Sequence, residues 1–156
     1  MEEALQRIRS VADYQFGRNV ALQLFPRDVR IVFSKKTGRI RYIYLNDELL
    51  ATMRPTTGLF CLTIAGARRL SKNRKYAKCF VTVKNEVSGF IKDGGDVFAA
   101  HVIEVNDEIR AMDEVVVLDE DGTLLAVGRA MLSSDEMKAF KRGVAVKVRH
   151  GCKNES

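Results

Sequence analysis

Residues 114–151 read EVVVLDEDGTLLAVGRAMLSSDEMKAFKRGVAVKVRHG, and this stretch decides the fold. Val115, Val116, Val117 and Leu118 form a largely β-branched run, the composition of a strand. The run stops at Asp119-Glu120-Asp121-Gly122, where glycine supplies the positive φ that a hairpin turn needs. A second strand is predicted from Leu124 to about Met131. Ser133 with Glu136 three residues on has capping-box spacing, so a short helix should start there, bury Met137 and Phe140, and stop at Gly143. Ala145, Val146 and Val148 form the closing strand.

Outward from this core, residues 80–84 read as a strand, 86–92 as a short helix, and Asp93-Gly94-Gly95-Asp96 as a loop into another strand. In the N-terminal half, Leu5, Ile8, Val11 and Ala12 recur at helical spacing and predict a helix over residues 2–12, broken across 12–17. A second short helix is expected over 18–24, closed by Pro26. Residues 29–34 read as a strand with Val29, Ile31 and Phe33 on one face, followed by a Lys35-Lys36-Thr37-Gly38 turn. Residues 39–45 and 49–53 form a hairpin around Asn46-Asp47; strict alternation puts Arg39 and Arg41 on one face and Ile40, Tyr42 and Tyr44 on the other. Residues 59–62 are a further apolar strand, and Thr63 caps a helix reaching Leu70.

A chain of 156 residues with 46 % apolar content has room for one or two small domains with proper cores. No apolar run approaches the roughly 20 residues of a membrane span, and the N-terminus is charged where a signal peptide would be apolar, so a cytoplasmic location is expected. Cys61, Cys79 and Cys152 are widely separated and contain no Cys-x-x-Cys pair, which excludes a zinc site or disulfide framework built from them alone. Cys61 and Cys79 read as small buried apolar groups. The acidic run 119–121 is turn chemistry, without the spacing of a calcium loop. No phosphate loop, dinucleotide fingerprint or nucleophile elbow is present, so neither cofactor nor metal nor a small-molecule substrate is expected.

The net charge of +6 is unevenly spread. Residues 1–75 hold 15 Lys and Arg against 6 Asp and Glu, whereas residues 76–156 hold 11 against 14. The basic half points to a polyanionic partner. Residues 68–78, RRLSKNRKYAK, contain six basic side chains and no acidic one. They are either a solvated helix end and linker or a collar that contacts phosphates.

The DEDG hairpin, the AVGRAMLS strand, the acidic-capped helix and the GVAVKVRH strand together resemble a PUA domain, the small RNA-binding barrel of pseudouridine synthases and archaeosine transglycosylases. In the first half, ADYQFG at 12–17, Leu24-Phe25-Pro26 with Asp28-Val29, SKKTGRIR at 34–41 and the GLF…GARRL run at 58–70 resemble the domain that precedes the PUA domain in archaeosine tRNA-guanine transglycosylase. The implied architecture is α+β: an α/β-sandwich-like pre-PUA domain over residues 1–74 and a small PUA pseudo-β-barrel over 75–152. Relatives of this kind exchange a base in tRNA with a large catalytic barrel for which 156 residues have no room.

The resemblance therefore implies a non-catalytic tRNA-binding protein, a separately encoded subunit or paralogue of archaeosine tRNA-guanine transglycosylase, with tRNA and a catalytic transglycosylase chain as partners. The alternative is a translation-associated PUA factor that binds the ribosome or initiator tRNA. The RNA-gripping surface of PUA domains implies Lys84, Asn85, Lys92, Gly94 and His101. Most such domains carry Pro-Gly after the loop, where this sequence has Ala100 and His101, a substitution usual in the transglycosylase type. Met112 stands where many relatives have glycine. The charge pattern adds Arg68, Arg69, Lys72, Arg74 and Lys75. Arg129 reads as either an ion-pair partner or a phosphate contact, and Arg149 joins Lys147 and Arg142 on the basic C-terminal strand.

Overall fold

The computed structural model describes residues 2–72 and 74–154, and the chain divides into two compact units, Met1–Ala77 and Lys78–Ser156. The first unit runs α1 (Glu2–Phe16), α2 (Ala21–Leu24), β1 (Arg30–Phe33), β2 (Ile40–Leu45), β3 (Glu48–Met53), β4 (Phe60–Leu62) and α3 (Ile64–Ser71). Its strands form an antiparallel meander in chain order. Ile31, Ile43, Ala51 and Leu62 stand in one cross-strand row and are all buried, marking the face against which the helices pack. The β2–β3 turn places Asn46 at φ 50° and Asp47 at φ 68°, the left-handed pair of a two-residue hairpin that Asn and Asp tolerate. Thr63 Oγ1 accepts from the Gly66 amide at 3.1 Å and caps α3, as its sequence position predicts.

The second unit contains β5 (Phe80–Val83), a 3-10 turn over Asn85–Val87, α4 (Ser88–Lys92), β6 (Val97–Phe98), a 3-10 turn over Ala99–His101 and β7 (Val102–Val105). The quoted core stretch then supplies β8 (Glu114–Leu118), β9 (Leu124–Ala130), α5 (Ser134–Ala139) and β10 (Val144–Gly151). The strand order is β6-β10-β9-β8-β5-β7, with only β5 and β8 parallel among the ladders. Because β6 and β7 are joined directly through residues 99–101, the two edges approach and the sheet forms a nearly closed barrel. Val81, Val83, Val115, Val117, Leu125 and Val146 fill it. Ser133 and Glu136 make both halves of the capping box at the start of α5. Asp119 Oδ1 accepts from the amides of Asp121 and Thr123, each at 2.9 Å, so the acidic tip is indeed built by turn chemistry.

Five readings change. Cys61 is half-buried rather than buried, because it falls on the outward side of β4, where its sulfur accepts from Arg54 Nε at 2.7 Å. α1 continues to Phe16, because Ala12 and Phe16 extend the buried stripe of Leu5 and Ile8 by another turn before Gly17 ends it. Phe33 is 43 % exposed, since it is the last residue of β1, an edge strand, next to the exposed turn over 35–39. Phe140 is 45 % exposed: α5 ends at Ala139, and Phe140 takes an extended backbone as its C-cap, so helical spacing does not carry its side chain inward beside Met137. On β2 the extra residue is Arg41, which lies between the pairs Phe33–Ile40 and Val32–Tyr42. One inserted residue reverses the faces of everything beyond it, so Ile43 turns inward while Tyr42 and Tyr44 turn outward, away from Ile40.

Candidate nucleic-acid interface

In the second unit, β5 and β7 bring two predicted contacts side by side. The Lys84 amide donates to the His101 carbonyl at 3.0 Å, so the two residues leave adjacent strand ends together. The His101 ring lies edge-on to Phe98, with centroids 6.2 Å apart, and Phe98 is itself 41 % exposed. An imidazole and a phenyl ring beside an exposed ammonium can stack on a base and neutralise its phosphate. Asn85 is committed otherwise: its amide donates to Glu120 at 2.8 Å and its side-chain oxygen accepts from the Glu120 amide at 2.9 Å. It ties the start of the short helix to the β8–β9 hairpin.

A second group surrounds the loop after α4. Gly94 has φ 103°, a conformation that favours glycine. Its amide lies so close to Gly151 that a Cβ on Gly151 would stand 2.9 Å from it and 2.2 Å from the Lys92 carbonyl. Lys92 and Gly94 are thus pressed against the end of β10, and Asp96 holds them there by accepting from the Val148 amide at 2.9 Å.

The third group lies across β8, β9 and β10. Glu114 pairs in register with Arg129, and Arg129 with Lys147. The Glu114 side chain is 4 % exposed, and both its oxygens accept from the Arg149 guanidinium, whose side chain is 28 % exposed. Arg149 therefore has a structural occupation that its sequence position did not reveal. Arg129, by contrast, buries its Nε without a hydrogen-bond partner among the described residues. Gly128 allows the close pairing of β9 and β10 here, because a Cβ there would meet the Lys147 carbonyl at 2.3 Å, and the ladder bulges just beyond, between Val148 and His150. Lys138 is taken up by Asp107 at 2.7 Å, a hydrogen bond and charge pair that hold Asp107 below its ordinary value.

The basic stretch 68–78 begins in the last turn of α3, where Arg68 and Arg69 suit the negative end of the helix. Arg69 Nε donates to the Gln23 carbonyl at 2.9 Å, tying α3 to α2. Lys72, Arg74 and Lys75 are exposed, and the Lys75 ammonium lies 5.6 Å from the Tyr76 ring centroid. Asn73 lies outside the described residues. Lys78 belongs to the second unit, where it faces Glu108 at 3.8 Å.

Burial, reinforced by the Glu114 charge, pushes the Cys79 thiol far above its ordinary value, so it stays a neutral packing group. Among the described residues no cluster of three or more His, Cys, Asp or Glu could hold a metal ion, and no helix is long and apolar enough to cross a membrane.

Residues 6–76 match the patch-forming domain C2 of tRNA-guanine transglycosylase, and residues 80–152 match the PUA domain. The chain is 46 % identical over 147 residues to the tRNA-guanine(15) transglycosylase of Methanothermobacter thermautotrophicus, covering 94 % of this chain and 22 % of that protein. It is 40 % identical over 150 residues to the enzyme of the same name from Pyrococcus abyssi, covering 96 % and 25 %. The chain therefore spans about a quarter of the length of the curated relatives it matches. Among solved structures, a hypothetical protein from Pyrococcus horikoshii superposes with a TM-score of 0.77 at 26 % identity, covering 99 % of this chain and 93 % of the other. A conserved PUA domain protein from Thermoplasma acidophilum gives 0.72 at 21 % identity with the same coverage, a likeness of fold.

Proposed function

This chain is a PUA-domain protein whose two domains resemble the C-terminal pair of archaeosine tRNA-guanine transglycosylase, and from that premise we propose that it is a non-catalytic tRNA-binding protein serving a transglycosylase catalytic chain. The observation that carries the reading is the match of both domains, in order and across 94 % of the chain, to enzymes named for acting on tRNA. The charge distribution supports it, since a polyanion is attracted by the basic first half and by the basic stretch 68–78.

In this proposal Lys84 and His101, with Lys92 and Gly94, grip an exposed RNA end, while Arg68, Arg69, Lys72, Arg74 and Lys75 neutralise phosphates. Asn85 shapes the surface through its bonds to Glu120, and Arg129 is the better phosphate contact of the β9–β10 pair because Arg149 is held by Glu114. Such a role belongs in the cytoplasm.

Affinity purification from cells expressing the tagged protein, followed by binding titrations with purified tRNA at several salt concentrations, tests the proposal. Recovery of tRNA together with a transglycosylase catalytic chain, and a steep loss of affinity with salt, are expected. Salt-independent binding, or equal affinity for tRNA and an arbitrary duplex, would falsify it.

A further inference from the structure

The sheet of the first unit has an outward face that the tRNA-binding reading has not used. Two cross-strand rows make it: Arg30–Tyr44–Leu49, and Val32–Tyr42–Thr52–Cys61. Their opposite face is the buried row through Ile31 and Ile43. The outward residues are half-buried or exposed, as expected of neighbours that shield one another on an open sheet.

Two tyrosines stand side by side here, with ring centroids 6.4 Å apart and planes inclined by 49°. The Arg30 guanidinium lies 4.5 Å from the Tyr44 ring centroid and the Arg41 guanidinium 5.3 Å from that of Tyr42. Arg54 reaches the same face through its contact with the Cys61 sulfur. No carboxylate stands in either row. At the end of the sheet carrying the β1–β2 turn, exposed Lys35, Lys36 and Arg39 extend the positive charge, whereas Asp47 and Glu48 lie at the other end.

A face of paired aromatic rings bordered by guanidinium groups has the chemistry that holds unpaired nucleotides. Bases stack on the rings or on the outer side of a guanidinium plane, and phosphates meet the surrounding cations. A duplex presents no free base face to such a surface. A protein partner would have to be strongly acidic at one end of this sheet only. We propose that the outward face of β1–β4 is a second RNA site, which takes about two unpaired nucleotides on Tyr42 and Tyr44 with Arg30, Arg41 and Arg54 as phosphate contacts. The bulge at Arg41 creates the site, because without it both rings would point into the core. The site deepens the tRNA-binding reading by assigning it unpaired nucleotides in addition to an exposed end.

The test uses a fluorescein-labelled unpaired nine-nucleotide RNA, a hairpin duplex of matched length, and whole tRNA. The full chain should prefer the unpaired RNA to the duplex. The Tyr42→Leu, Tyr44→Leu double variant keeps apolar bulk but loses the ring faces, and its affinity for unpaired RNA should fall at least about tenfold. Tyr42→Phe, Tyr44→Phe retains the rings and should bind nearly as the parent does, which separates stacking from damage to the fold. Arg30→Gln should lower the salt slope by about one. If the leucine variant binds unpaired RNA as tightly as the parent, or if the parent binds tRNA but not unpaired RNA, the site is refuted while the tRNA-binding reading stands. If no RNA binds at all, both fall.

Discussion

Met112 has φ 80°, the left-handed region, while its side chain is 61 % exposed and gains little from packing. Its amide donates to the Ala130 carbonyl at 2.7 Å, which anchors the strained turn against β9. A side chain in this region costs about 1–2 kcal/mol, whereas glycine adopts it freely at the expense of a more flexible unfolded chain. Met112→Gly should therefore stabilise the second unit by about 0.5–1 kcal/mol, seen as a higher denaturant midpoint with an unchanged m-value. An unchanged or lower midpoint would show that the turn relaxes at no cost. Glu114 and Arg149 make a different argument, because one is nearly fully buried and the other has some access to water. Arg149→Met strands a buried carboxylate and should destabilise by about 3 kcal/mol, and adding Glu114→Gln should recover much of that loss. Melting curves of the two single variants and the double variant give the coupling. If Arg149→Met instead leaves stability unchanged and weakens tRNA binding, Arg149 is primarily an RNA contact.

At the scale of elements, the proposed RNA contacts in the basic stretch after α3 and at the Lys84–His101 corner would make different demands on an RNA. Exposed cations neutralise phosphates without reading sequence, whereas a ring beside an ammonium at a strand end senses an exposed base. Lys72→Ala, Arg74→Ala, Lys75→Ala should therefore lower the salt slope of tRNA binding by roughly one per lost contact, with little change in preference among tRNAs. His101→Ala should leave the slope alone and weaken the preference for tRNA with an intact acceptor end. An unchanged slope in the triple variant would make residues 68–78 an ordinary solvated linker. The same elements show what sequence could reveal. The core hairpin, the capped α5 and Thr63 at the start of α3 were legible because local chemistry settles them: β-branched runs, Asp-Gly turns and hydroxyl caps act within a few residues. The outward tyrosines were not, since a bulge at Arg41 depends on how β1 pairs with β2. Nor was the commitment of Asn85 to Glu120, or of Arg149 to Glu114, which are 35 residues apart in each case.

For the molecule as a whole, the question is what remains for a chain that covers about a quarter of its transglycosylase relatives. Base exchange needs a nucleophile held against the sugar and a pocket for the incoming base. Three groups that could begin such chemistry are otherwise engaged: Glu114 is ion-paired with Arg149, Asp119 accepts two backbone amides of its own turn, and Cys79 is held neutral by burial. The pure chain should therefore incorporate no labelled base into tRNA. Its effect should appear only beside a catalytic chain, and in a particular kinetic form. A surface that holds tRNA equally in the ground state and the transition state lowers KM and leaves kcat unchanged. Assays of a transglycosylase catalytic barrel deprived of its own RNA-binding domains, with and without this protein at low salt, should show the lower KM, and raising the salt should abolish the difference as phosphate contacts weaken. A rise in kcat would mean that this protein reshapes the active site, and incorporation of base by the pure chain would overturn the non-catalytic reading.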